Sequence, residues 1–219
     1  MSLPSAILTN SITNGLHALF LLSYFLLTIY QYTKKNPAIH SILVVLFFFF
    51  IFAVKILGVV VHYYIDVLSP NVFNGLWIAI SIGSICLDYC LLYGLAMPDI
   101  ARRIGLGLTV ILNLVFISQA VEGVIKYHTI ALSLILVFLL AAYYSKGLTR
   151  VAVICVIVSN IIWIALRVGI SLYVINLQEN VQYTYDNDLY HLMLIVSTFI
   201  VYLSIVRGDW TYPEKQKVL

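Results

Sequence analysis

Long apolar runs alternate with short polar breaks along the chain. Seven stretches, roughly 5–32, 38–64, 72–96, 104–125, 128–144, 149–176 and 188–206, approach or exceed the ~20 residues a helix needs to cross a bilayer's hydrocarbon core. The breaks carry turn and charge signals: Lys34 to Pro37, Ser69 to Asn71, Pro98 and Asp99 with Arg102 and Arg103, Lys126 to His128, Ser145 to Gly147, and the polar run from Gln178 to Asp188. This pattern predicts an all-α polytopic membrane protein, a bundle of seven transmembrane helices. With the N-terminus outside, Lys34, Lys35, Arg102, Arg103, Lys146, Arg150, Arg207, Lys215 and Lys217 fall inside and only Lys126 falls outside. The positive-inside bias therefore predicts an N-out, C-in orientation.

Composition agrees: 63% of the 219 residues are hydrophobic and 10% charged, against roughly 25% charged in soluble domains. No polar block is long enough for a separate domain, so residues 1–219 are expected to form one membrane unit. The first ten residues carry no Lys or Arg, which argues against a cleavable signal peptide and for a retained first span. Cys86, Cys90 and Cys155 all lie in apolar segments and read as packed thiols. An integral protein of a plasma or inner membrane is expected.

Polar side chains inside spans face the bundle interior or a wet cavity, so their helical spacing is informative. Helix one aligns Asn10, Asn14 and His17; helix two, Lys55 and His62; helix three, Asn74, Ser81, Ser84 and Asp88. Helix four carries Gln119, Glu122 and Lys126 near its outer end, and helix six aligns Asn160, Trp163, Arg167 and Ser171. Helix seven shows Asn187, His191, Thr198 and Tyr202 on one face with Asp188 alongside. Helix five is apolar from Ile130 to Ala142 apart from Ser133, and is expected to be the most lipid-exposed. The stripes concentrate in the outer half and predict a pocket open to the outside, with His17, Lys55, Asp88, Arg167 and Asn187 as ligand-binding candidates. Asp186, Asn187 and Asp188 have a second reading as caps of helix seven. By depth, Arg167 is expected to pair with Glu122.

The histidine ending helix two in "GVVVHYY" (Gly58 to Tyr64) and the one opening helix seven in "NDLYH" (Asn187 to His191), set in seven helices, resemble the superfamily of alkaline ceramidases and adiponectin/progestin receptors. The layout is also similar to an uncharacterised bacterial seven-helix family with the same two motif positions. The superfamily resemblance implies a zinc held by His62 and His191 and a hydrolase of a lipid amide or ester. The chain departs from that pattern: Gly58 stands at the serine position, Asn187 replaces the first histidine of the helix-seven pair, and Asn71 and Asn74 stand where helix three would offer aspartate. A competent hydrolase then requires Asp188, three residues before His191, or Glu122 as the third metal ligand, with Glu122 or Asp188 the carboxylate expected to take a proton from the metal-bound water.

Two other classes stay open: a non-enzymatic ligand-binding or sensory bundle, and a small-solute transporter, which the lack of internal repeats disfavours. A retinal protein is disfavoured because helix seven has no lysine. The expected partner is a membrane lipid or an amphipathic small molecule, not nucleic acid.

Overall fold

The computed structural model describes residues 5–34, 41–64, 67–124, 127–177 and 186–208; the side chains of 5–7, 127–128, 170–177 and 186 lie outside that description. Among the described residues there are seven helices and no strand: α1 (Ser5–Thr33), α2 (Ile42–Tyr63), α3 (Pro70–Gly94), α4 (Asp99–Val121), α5 (Tyr127–Tyr144), α6 (Gly147–Leu177) and α7 (Asp186–Val206). Six are long and apolar enough to cross a membrane, and α5 is a shorter apolar helix. The chain is a multi-pass helical membrane protein.

Local chemistry sets the helix ends. Ser41 caps α2, its hydroxyl accepting from the Leu43 N–H at 3.2 Å. Pro70 opens α3, where a missing N–H costs nothing. Gly123 (φ 76°) and Gly147 (φ 54°) supply the left-handed backbone after α4 and at the start of α6. The hydropathy pattern placed the start of helix four at residue 104, but α4 begins at Asp99. Arg102 and Arg103 therefore belong to its first turns and not to a loop.

Two arginines clamp the turns at the end of the bundle where α1, α3 and α5 finish. The Arg102 guanidinium donates to the carbonyl oxygens of Leu92 (3.3 Å) and Leu95 (3.1 Å) and to Asp99 (2.6 Å). Arg150 does the same for α5, donating to Ala142 (3.1 Å), Tyr143 (3.3 Å) and Ser145 (2.8 Å). Each is the fourth residue of its own helix and satisfies carbonyls at the end of the preceding one, where a helix leaves acceptors unpaired and a cation complements the dipole.

Each helix packs on its chain neighbours, and α7 returns to α1, which closes a ring. Close approach needs small residues: a Cβ at Gly83 would lie 2.6 Å from Val54 Cγ2, so glycine lets α3 settle against α2. α3 also touches α5, and this displaces α4 to the periphery. The structure thus reverses the expectation for helix five. Val137, Phe138 and Ala141 of α5 are buried, while Ile100, Ile104, Ile111, Leu114 and Val121 give α4 an outward apolar stripe. An apolar helix inside a bundle and one facing lipid have similar compositions; the neighbours they pack against decide between them.

A buried polar cluster holds α4 in place. Ser81 Oγ donates to Asn113 Oδ1 at 2.7 Å, Asn113 Nδ2 donates to Ser133 Oγ at 3.2 Å, and Thr109 Oγ1 donates to Asp88 Oδ2 at 2.9 Å. In the half of the bundle where α1 finishes, Tyr24 of α1 stacks on Tyr202 of α7 at 4.8 Å and meets Phe48 of α2 edge-on. These aromatics close that end of the ring.

Candidate functional site

A cavity of about 450 Å³ opens inside the ring, within the ~300–1,000 Å³ range of ligand sites. Every helix except α4 lines it. Helix direction alternates, so the N-terminal ends of α1, α3, α5 and α7 and the C-terminal ends of α2, α4 and α6 share one end of the bundle. At that end lie Asn10, His62, Arg167 and Asn187. Deeper in, Ile51, Leu87, Phe138, Val156 and Leu194 form an apolar floor.

The His62 ring bridges three helices. Asn10 Nδ2 faces its Nδ1 at 3.3 Å, and Asn187 Nδ2 faces its Nε2 at 3.4 Å. Asn10 is the hub, its Oδ1 accepting from Asn14 Nδ2 (3.0 Å) and Asn187 Nδ2 (3.1 Å). A neutral imidazole has one acceptor nitrogen, so it accepts from only one of the two amides. Its other nitrogen carries an N–H.

His191 approaches from α7, its ring centroid 6.3 Å from that of His62 and 5.6 Å from that of Tyr190. Tyr190 donates to Asn160 Oδ1 at 3.0 Å, packs on Trp163 at 5.3 Å and lies 5.6 Å below the Lys55 ammonium. Lys55, Asn160, Trp163, Arg167, Asn187, Tyr190 and His191 thus converge on one polar wall. The face that α5 adds next to α6, formed by Ile130, Ala131, Leu134 and Phe138, is apolar.

Other candidates stand outside this wall. Asp188 is buried against α1 and accepts from Thr13 Oγ1 at 2.8 Å, with the same hydroxyl 3.5 Å from His191 Nδ1. Asn187 and Asp188 therefore engage α1, beyond any capping role in their own helix. His17 is buried in the seam of α1 and α7, its Nε2 3.2 Å from Thr198 Oγ1, and does not line the cavity. Asp88 is buried against α4 through Thr109, and Glu122 is exposed at the C-cap of α4. α5 stands between α4 and α6, so the expected pairing of Glu122 with Arg167 does not form; the ion pair among the described residues is Arg102–Asp99. Lys126 and the side chains of Ser171 and Asp186 lie outside the described residues.

Thr13 and Tyr190 escaped the sequence reading. Tyr190 lies three residues after Asn187 and shares its face with His191, and Thr13 follows Asn10 by three; the i, i+3 rule reveals both.

The zinc reading turns on how many ligands converge. Among the described residues no group of three His, Cys, Asp or Glu side chains converges as a metal site. Both nitrogens of His62 face amides, and Asp188 Oδ1 takes the Thr13 hydroxyl. A catalytic zinc needs three protein ligands; His62 and His191 approach each other, and no third such side chain joins them among the described residues. What the arrangement can do is hold a ligand's polar head in a field of N–H donors and cations while its apolar body lies along α5. Comparison with protein-family models, with curated proteins and with solved structures gives no match to this chain.

Proposed function

We propose that the chain is a seven-span membrane protein, N-terminus outside and C-terminus inside, that binds a small amphipathic molecule in the cavity of its outer half. The observation that carries the reading is the two-faced void: amides, imidazoles and cations at one end, an aliphatic and aromatic floor at the other. Such a site orients a ligand by its head and holds it by its tail. It suits a receptor for a lipid-derived molecule. Two features support the topology. The 18 residues of α5 reach ~27 Å, close to the ~30 Å hydrocarbon core. Lys34, Arg102, Arg103, Lys146, Arg150 and Arg207 collect at the end away from the polar wall, where the positive-inside bias favours the cytoplasm.

The test is co-purification followed by occlusion. Extraction into a mild neutral detergent and native mass spectrometry should show a bound amphiphile near one per chain. Gly58 lines the cavity, and a Cβ there meets only Asn14 Oδ1 at 3.7 Å. A Cβ is therefore accommodated at Gly58, and Gly58→Phe, which projects a ring into the void, should abolish the adduct. A folded Gly58→Phe protein that keeps its adduct refutes the reading.

A second reading, a zinc-dependent hydrolase of a lipid amide or ester, is favoured by the approach of His62 and His191. It requires a zinc per chain that falls in His62→Ala and His191→Ala. Elemental analysis decides it, and unchanged metal content in both variants removes it.

A further inference from the structure

The charged lining of the cavity has one sign. Lys55 and Arg167 line it, and no Asp or Glu among the described residues does. The described acids are engaged elsewhere: Asp88 with Thr109, Asp99 with Arg102, Asp188 with Thr13, and Glu122 exposed past the end of α4. Lys55 lies in the middle of α2, its Nζ 5.6 Å from the Tyr190 ring centroid, and forms no ion pair among the described residues. An ammonium at mid-depth is costly unless neutralised. An aromatic face offsets only part of that cost.

A donor without an acceptor lies on the same wall. Trp163 Nε1 is buried and has no hydrogen-bond partner among the described residues. Along α2 the cavity wall runs from His62 past Lys55 to Ile51, eleven residues or roughly 16 Å, and the last four residues, roughly 6 Å below Lys55, end on the apolar floor. Cations and N–H donors beside an apolar floor and the apolar face of α5 complement a negatively charged head on a hydrocarbon tail.

We propose that the cavity's ligand is an amphipathic anion, an alkyl chain bearing a carboxylate or phosphate head, with Lys55 as the principal counter-charge. The inference rests on the ligand-binding reading above and adds the sign of the ligand's charge. The head sits at the level of Tyr190 beside Lys55 and Arg167, and the chain runs toward Phe138.

The chain contains three tryptophans, and two of them, Trp77 and Trp163, line the cavity. Trp210→Phe therefore makes intrinsic fluorescence a reporter of the void. The Trp210→Phe protein in neutral-lipid nanodiscs is titrated with ω-bromododecanoate, ω-bromododecanol and ω-bromododecyl trimethylammonium, whose bromine quenches tryptophan on contact. The carboxylate should quench saturably and tighter than the alcohol. Adding Lys55→Met should weaken it roughly tenfold or more, as expected for a lost hydrogen bond to a charged group. Lys55→Arg should keep most of the affinity, and alcohol quenching should be equal in both variants, which shows the cavity intact. Unbrominated dodecanoate and dodecyl phosphate compete. The stronger competitor tells a fatty-acid head from a phospholipid-like one, and inorganic phosphate alone should not displace the probe. Saturable binding of the alcohol or the ammonium as tight as the carboxylate overturns the charge assignment and leaves the cavity a ligand site. Absence of saturable quenching by all three probes overturns both.

Discussion

Arg102 offers a test that isolates one interaction from its charge. The side chain is 11% exposed and donates to two carbonyls at the C-terminal end of α3, while the side chain of its ion-pair partner Asp99 is 79% exposed. An exposed partner contributes little, on the order of 0.2–1 kcal/mol. The carbonyl bonds carry the weight, because a hydrogen bond to a charged group contributes about 1.5–3 kcal/mol and an abandoned buried acceptor adds its own cost. Arg102→Met keeps the stem and removes the fork; about 2–3 kcal/mol should be lost after discounting for contact with interfacial water. Arg103→Met is the control. It removes the same charge from the same helix turn, so any effect on net charge or on orientation is shared, but Arg103 is exposed. Its loss should stay within about 0.5 kcal/mol. Arg102→Lys should recover only part, since an ammonium lacks the planar fork. Unfolding by SDS titration in mixed micelles measures all three. Equal midpoints for Arg102→Met and Arg103→Met would refute the clamp and the capping argument with it.

Four further outcomes follow from named contacts. Asn113 and Ser133 should couple in a double-mutant cycle by about 0.6 kcal/mol, up to about 1.7, as interhelical bonds in a bilayer do; zero coupling would mean that the Asn113–Ser133 bond does not help to hold α4 against α5. Thr13→Val is near-isosteric and deprives Asp188 of a donor at 2.8 Å, so it should cost about 1.5–3 kcal/mol in the same unfolding assay, and an effect below about 0.5 would show the bond is not formed. Asn187 Nδ2 lies 3.4 Å from His62 Nε2; Asn187→His sets a third imidazole beside His62 and His191 and should raise zinc retention above wild type by elemental analysis, an increase whose absence would show that the backbone spacing forbids a shared metal. A fluorescent protein fused after Leu219 should glow from the cytoplasm and a phosphatase in the same place should stay inactive; the reverse pattern would invert the topology.

The helices were legible because a bilayer leaves the backbone little choice. A span must satisfy its own N–H and C=O groups, so each apolar run is a helix and each polar break a turn. Adjacency was not legible. It depends on contacts such as Gly83 against Val54 and on the Ser81–Asn113–Ser133 chain, each of which needs two helices placed before it means anything. That is why α5, blank in the polar pattern, is a wall of the cavity, and α4, with buried Thr109 and Asn113, is outside it.

The same limit governs the site. Asp188 and His191 are three residues apart and looked like one ligand face, yet three residues turn a helix by about 300°, which leaves them about 60° apart. In a closed ring that angle is enough to send His191 into the cavity and Asp188 against Thr13 of α1. The carboxylate that the hydrolase pattern required is thereby drawn into the α1–α7 seam. The amide at 187, standing where the resemblance has a histidine, instead ties His62 to Asn10. Removing acids from the void and leaving Lys55 and Arg167 in it changes what the pocket can hold. The proposed anionic ligand rests on that one-signed lining.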